Sequence, residues 1–235
     1  VALLAGVDGC KAGWVAAIAD NGGGPLRVAV FADASAVAAG LADADVIAVD
    51  IPIGLTDAGP RACDAAARRL LRRPRASSVF PAPIRPILNA ATRAQADRLS
   101  RAADGRGVGP HAWSIVPKVR EWEALLRARS ALRSRVYEVH PEVAFAALNG
   151  GAAVAAPKRG REGHACRARL LRSVYGAKSV AAALAAFPRG QAQPDDVLDA
   201  LAVLWSAARI HRGAAVSLPA PPEVDGAGLP MAIWY

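Results

Sequence analysis

Short apolar runs separated by turn signals fill the first fifty residues, and their order reads strand, strand, strand, helix, strand. Asn21-Gly-Gly-Gly-Pro25 is the turn between the second and third strands, and Leu26 to Phe31 supplies the third. Ala34 to Ala42 is a short Ala-rich helix, and Val46 to Val49 is a continuous apolar run of the kind a buried parallel strand needs. Hairpin-linked strands followed by a helical crossover imply a mixed sheet in an α/β protein.

From Ile51 to about Arg135 the pattern changes. Pro52, Pro60, Pro74, Pro81, Pro83 and Pro86 interrupt it, around helical candidates at Arg61 to Arg72, Thr92 to Ala103 and Val119 to Ala131. We read residues 51–135 as a helical, Pro-rich insertion over the sheet's edge, within one domain spanning 1–235. Val136 to Val139 then returns as a strand, Glu142 to Leu148 and His164 to Tyr175 as helices, and Asp196 to Arg212 as the strongest helix, with Asp195 as its N-cap after Pro194. Leu218 to Pro222 reads as an ordered loop before a short strand at Met231 to Trp234.

Composition narrows the class. Of 235 residues 53% are hydrophobic, yet no apolar stretch reaches the roughly 18 residues that a membrane helix needs. Three widely spaced cysteines give neither a disulfide framework nor zinc-ligand spacing, and no secretory pattern opens the chain, so the expectation is a soluble cytoplasmic protein without membrane contact. A net charge of +9 favours a polyanionic partner, nucleic acid or a small phosphorylated ligand. The general richness in Ala, Arg and Gly weakens that signal, because it raises arginine whatever the function.

The chemistry is carried by acids at the ends of apolar elements. Asp8 follows Val1 to Val7, with Gly6, Gly9 and Gly13 around it, and also fits a plain turn aspartate. Asp50 follows Val46 to Val49 at the C-terminal end of a parallel strand, where open α/β sheets place their sites. Asp199 lies one turn into an otherwise apolar helix, and Asp196, three residues earlier, shares its face, so the two can point at one ion. Asp195 reads as a cap. Glu138 and His140 alternate onto one strand face; His140 fits a structural as well as a catalytic role, and Glu142 fits a helix start. Carboxylates gathered in this way suit Mg²⁺ or Mn²⁺, whereas His and Cys would have pointed to zinc. Arg61, Arg85, Lys118 and Lys158 lie in polar clusters that read as binding groups, the two lysines standing out because lysine is scarce here.

The strings Gly6-Val-Asp-Gly-Cys-Lys-Ala-Gly-Trp14, Asp50-Ile-Pro-Ile-Gly-Leu55, Arg61-x-Cys-Asp64, Ser78-Val-Phe-Pro-Ala-Pro83, Glu138-Val-His-Pro-Glu142 and Asp196-Val-Leu-Asp-Ala200, taken in order, resemble the ribonuclease H-like superfamily and, more narrowly, the DUF429 family of predicted nucleases. That resemblance implies a five-stranded sheet of order 3-2-1-4-5 with the second strand antiparallel, helices on both faces, and two divalent cations held by Asp8, Asp50, Asp196 and Asp199. Glu138 matches no general ligand of the superfamily and stands as a catalytic helper. The implied activity is two-metal hydrolysis of a phosphodiester, with Lys11, Arg61, Arg85, Lys118, His140 and Lys158 as candidate substrate contacts. A non-catalytic binding adaptor and an actin-like ATP-dependent phosphotransferase are the competing classes.

Overall fold

Strand β1 (Leu3–Cys10) alternates strictly: Leu4 and Cys10 enter one core cluster, with Gly6 and Asp8 on the same side by alternation, whereas Ala5 and Val7 enter another. A strand buried on both faces needs helices on both, and the computed structural model has them. It describes residues 1–22, 24–186 and 190–235. Gly23, in the expected turn, lies outside the described residues.

β1 pairs antiparallel with β2 (Gly13–Asp20), which pairs antiparallel with β3 (Arg27–Phe31). After the crossover helix α1 (Ala34–Gly40), β4 (Ala44–Val49) returns parallel to β1, and β5 (Val136–Glu138) lies parallel beyond it. The sheet order is β3-β2-β1-β4-β5, as expected. Between β4 and β5 run α2 (Ala62–Arg75), two short 3₁₀ turns, α3 (Arg93–Asp104), α4 (Pro110–Ala128) and α5 (Ser130–Arg133). After β5 come α6 (Pro141–Leu148), α7 (Arg161–Tyr175), α8 (Ala177–Ala185) and α9 (Pro194–His211), then the hairpin β6 (Ser217–Val224) and β7 (Pro230–Trp234).

The insertion corrects the expectation of an edge cover, because it packs on a whole face. Trp122 of α4 meets Trp14 of β2 edge to face, with ring centroids 5.8 Å apart, inside a core that takes residues from β1, β2, β4 and β5. On the opposite face α9 lies against β1, buried almost continuously from Val197 to Leu204.

Other differences are local. α4 begins at Pro110, well before Val119, since proline at the first helical position supplies a ready helical φ. Leu218 to Pro222 is strand rather than loop: the prolines sit on an isolated two-stranded hairpin, where missing ladder donors are tolerated. The cap of α9 is Gln193, not Asp195; Pro194 takes the first helical position and moves both aspartates inside the first turn. Among the described residues no helix is long and apolar enough to cross a membrane.

Candidate functional site

Parallel pairing of β1 with β4 determines where two of the acids meet. Val7 and Val49 are register partners, and the Asp50 backbone N–H donates to the Val7 carbonyl at 2.9 Å. Asp8 and Asp50, one residue further along each strand, therefore end side by side on the α9 face. Their carboxyl groups lie within hydrogen-bonding reach of each other.

The third acid arrives through a glycine. A β-carbon on Gly6 would sit 2.0 Å from the Leu204 nitrogen and 2.4 Å from the Ala200 carbonyl oxygen, so only glycine lets the α9 backbone approach β1 this closely. Asp199 precedes Ala200 and is carried in with it, as the one charged side chain among α9's buried residues. Asp8 is 6% and Asp199 3% exposed.

Among the described residues one lysine faces these three carboxylates. Lys158, from the loop before α7, donates to an Asp199 oxygen at 2.8 Å. Burial pushes Asp8 well above the ordinary carboxylate range, with the charges of Asp50 and Asp199 adding to it and Lys158 opposing. Asp199 is pushed up to about 6, chiefly by burial, against the pull of Lys158. Asp50 is raised too, again by burial, with His140 and Lys158 opposing.

The remaining candidates divide sharply. The charge of Asp196 reaches Asp8 only weakly, and its carboxylate accepts the Gln193 N–H at 2.8 Å, a helix-capping bond. Glu138 does not join the carboxylates: it pairs in register with Val49, whose side chain enters the insertion-side core, so alternation turns it to the face away from Asp50. There it receives both terminal nitrogens of Arg61 at 2.7 Å and the Ile53 N–H at 2.8 Å. Burial raises Glu138 and Arg61 opposes the rise. Arg61 also donates to Asp64 at 2.6 Å and to the carbonyls of Ile53 and Gly54, so every part of its guanidinium is engaged.

Arg85 is similarly committed, to Glu123 and Asp225. Lys118 donates to the Gly13 carbonyl and lies 4.3 Å from the Trp14 ring centre. Lys11 is exposed in the turn between β1 and β2. His140 caps α6: its Nδ1 accepts the Glu142 N–H at 3.2 Å, which leaves Nε2 as the donor to the Ser78 carbonyl at 3.3 Å. Both ring nitrogens of a neutral imidazole are thus occupied, although the ring lies near Asp50.

Sequence reasoning missed one buried pair beside the centre. Glu142, in the first turn of α6, receives Arg167 of α7 through both carboxylate oxygens at 2.6 and 2.8 Å. Its charge reaches Asp50 and Asp199. Nothing local in the sequence marks a pair formed across two helices.

Chemically, the arrangement concentrates acceptor oxygens from three separate elements at the C-terminal edge of the parallel strands. As they stand, no group of three or more His, Cys, Asp or Glu side chains among the described residues is set to hold a metal ion, and Lys158 lies against Asp199 instead. A family model described as "Protein of unknown function (DUF429)" matches residues 6–224, a span that contains Asp8, Asp50, Lys158 and Asp199. The chain belongs to the DUF429 family. Comparison of this DUF429 protein with curated proteins and with solved structures returns no match.

Proposed function

We propose that this DUF429 protein is a metal-dependent phosphodiesterase or nuclease on a ribonuclease H-like fold, acting in the cytoplasm. The observation that carries the reading is the convergence of Asp8, Asp50 and Asp199, from β1, β4 and α9, with the Lys158 ammonium hydrogen-bonded to Asp199. Three adjoining carboxylates, two buried and one half-buried, are costly to hold together, and a fold that assembles them from distant segments has a use for a cation there.

The donor chemistry fits Mg²⁺ or Mn²⁺: the groups are all carboxylate oxygens, the ligands of hard cations, and Asp196 at the rim is a fourth. When bound, such ions supply Lewis-acid activation of water and of a phosphoryl oxygen. The protein's own part is positioning. The short Asp8–Asp50 approach is fixed by strand pairing and Asp199 by the Gly6 contact, so the ligands sit on rigid elements. Lys158 serves as a resident counter-charge to the carboxylates, and its half-exposed side chain would be free to meet a phosphate oxygen if Asp199 were engaged by a cation. Glu138 and Arg61 act from the other face by fixing the segment that follows Asp50, through Ile53 and Gly54.

The test is cleavage of end-labelled DNA and RNA oligonucleotides by the purified protein. Cleavage that requires Mg²⁺ or Mn²⁺, stops in EDTA and is lost in Asp8→Asn and Asp50→Asn supports the reading. Undiminished cleavage in both variants rules these carboxylates out.

A further inference from the structure

We propose that the hollow between the C-terminal end of α2 and the turn after α6 is a binding site for the backbone phosphates of a nucleic-acid strand. The hollow measures about 750 Å³, and Arg69, Arg72 and Arg73 line it opposite Gly150, Gly151 and Tyr235. Among the described residues no Asp or Glu lines it. All three arginines are exposed. Arg75 and Arg167 nearby are taken up by Glu142, whereas these three have no carboxylate within 4.0 Å among the described residues.

Three uncompensated guanidinium groups around one concavity repel each other, and an anion relieves that repulsion. Phosphate suits the planar fork of arginine, which can donate two parallel hydrogen bonds to it. Local backbone supports the same use. Arg72 adopts φ 54°, a left-handed conformation uncommon for a non-glycine residue, at the kink that separates it from the helical part of α2. Across the hollow Gly150 and Gly151 have φ 69° and 91° with open space where a β-carbon would be, so the opposite wall is bare backbone that a ligand can approach closely.

Position separates this hollow from an ordinary basic patch. Ala153 and Ala155 line it, and three residues on the same segment reaches Lys158 at the carboxylates, at most about 10 Å of extended chain. A strand whose scissile phosphate lies at Asp8 and Asp50 would follow this segment from the carboxylates to the hollow. The choice of ligand rests on the phosphodiesterase reading and deepens it: the substrate is a polymer rather than a mononucleotide.

The test is fluorescence anisotropy with a labelled single-stranded oligonucleotide in EDTA, where nothing is cleaved. Arg69→Ala/Arg73→Ala is compared with wild type and with Arg98→Ala/Arg129→Ala, an equal charge loss on α3 and just after α4, and far-ultraviolet circular dichroism checks each fold. The expected result is about tenfold weaker binding in the first pair and a salt slope shallower by about 1.4, against little change in the second. Equal weakening by both pairs, no binding by wild type, or equal competition by a mononucleotide or by polyglutamate would overturn the proposal. Since the assay excludes metal, strand binding here without cleavage under any divalent ion removes the hydrolytic reading alone, and cleavage that is indifferent to Arg69 and Arg73 removes this site alone.

Discussion

Two kinds of buried acid lie on opposite faces of the same sheet. On the insertion side every buried carboxylate is paired with a guanidinium, two to each: Glu138 and Asp64 share Arg61, and Glu123 and Asp225 share Arg85. On the α9 side Asp8, Asp50 and Asp199 share one lysine. In the first arrangement every carboxylate is hydrogen-bonded to a guanidinium, which makes it a latch between the insertion and the rest of the fold, whereas in the second Lys158 bonds Asp199 and the cluster is held in place by strand pairing and a glycine contact. Satisfied ion pairs organise a fold; unsatisfied ones are retained for a ligand.

Breaking the latch should give the largest effect on stability. Arg61→Leu strands Glu138 and Asp64 without a cation and is expected to cost about 3–5 kcal/mol in urea unfolding, with much of the loss recovered by adding Glu138→Leu. Asp8→Asn should do the reverse: activity falls on the order of a thousandfold, as removal of a metal ligand worth about 4 kcal/mol in the barrier would cause, while the urea midpoint of the metal-free protein at pH 7 holds or rises.

Replacing Lys158 sharpens the contrast from the other side. Lys158→Met removes the competing ammonium, and Mn²⁺ titrated by calorimetry should bind about tenfold more tightly than to wild type. A smaller effect appears with pH. Asp199 is pushed up to about 6 in the folded state, so the native protein holds a proton where the unfolded chain has released it, and metal-free stability falls as pH rises from the usual carboxylate range through about 6. Urea midpoints measured across that window should decline more steeply in wild type than in Asp50→Asn, where one charge that raises Asp199 is gone.

How much of this could be read in the sequence depended on whether the signal was local. Asp8 and Asp50 were legible because each ends an apolar run that has to be a buried strand, and Asp199 because a lone acid within an apolar helix stands out. Glu138 looked equivalent, ending a similar run. Alternation along a strand does not say which face is which, and only the Val49–Glu138 register turns it toward Arg61. Arg61 and Arg85 read as ligand contacts because Glu138 and Asp225 lie 77 and 140 residues away from them, in no pattern that spacing reveals, although Asp64, three residues beyond Arg61, was a local sign of pairing. Asp195 lost the cap to Gln193 by a shift of two residues, within the usual uncertainty of helix ends. The proline-rich β6 was missed for a different reason: proline argues against a central strand but not against an isolated hairpin.

The central claim is that the unbalanced carboxylates form a divalent-cation site, and the most direct measurement is anomalous scattering from a crystal soaked in Mn²⁺. The account predicts at least one peak bridging Asp8, Asp50 and Asp199, with the Lys158 ammonium moved off Asp199. A map with no peak there, and Lys158 still bound to Asp199 at saturating Mn²⁺, would contradict it.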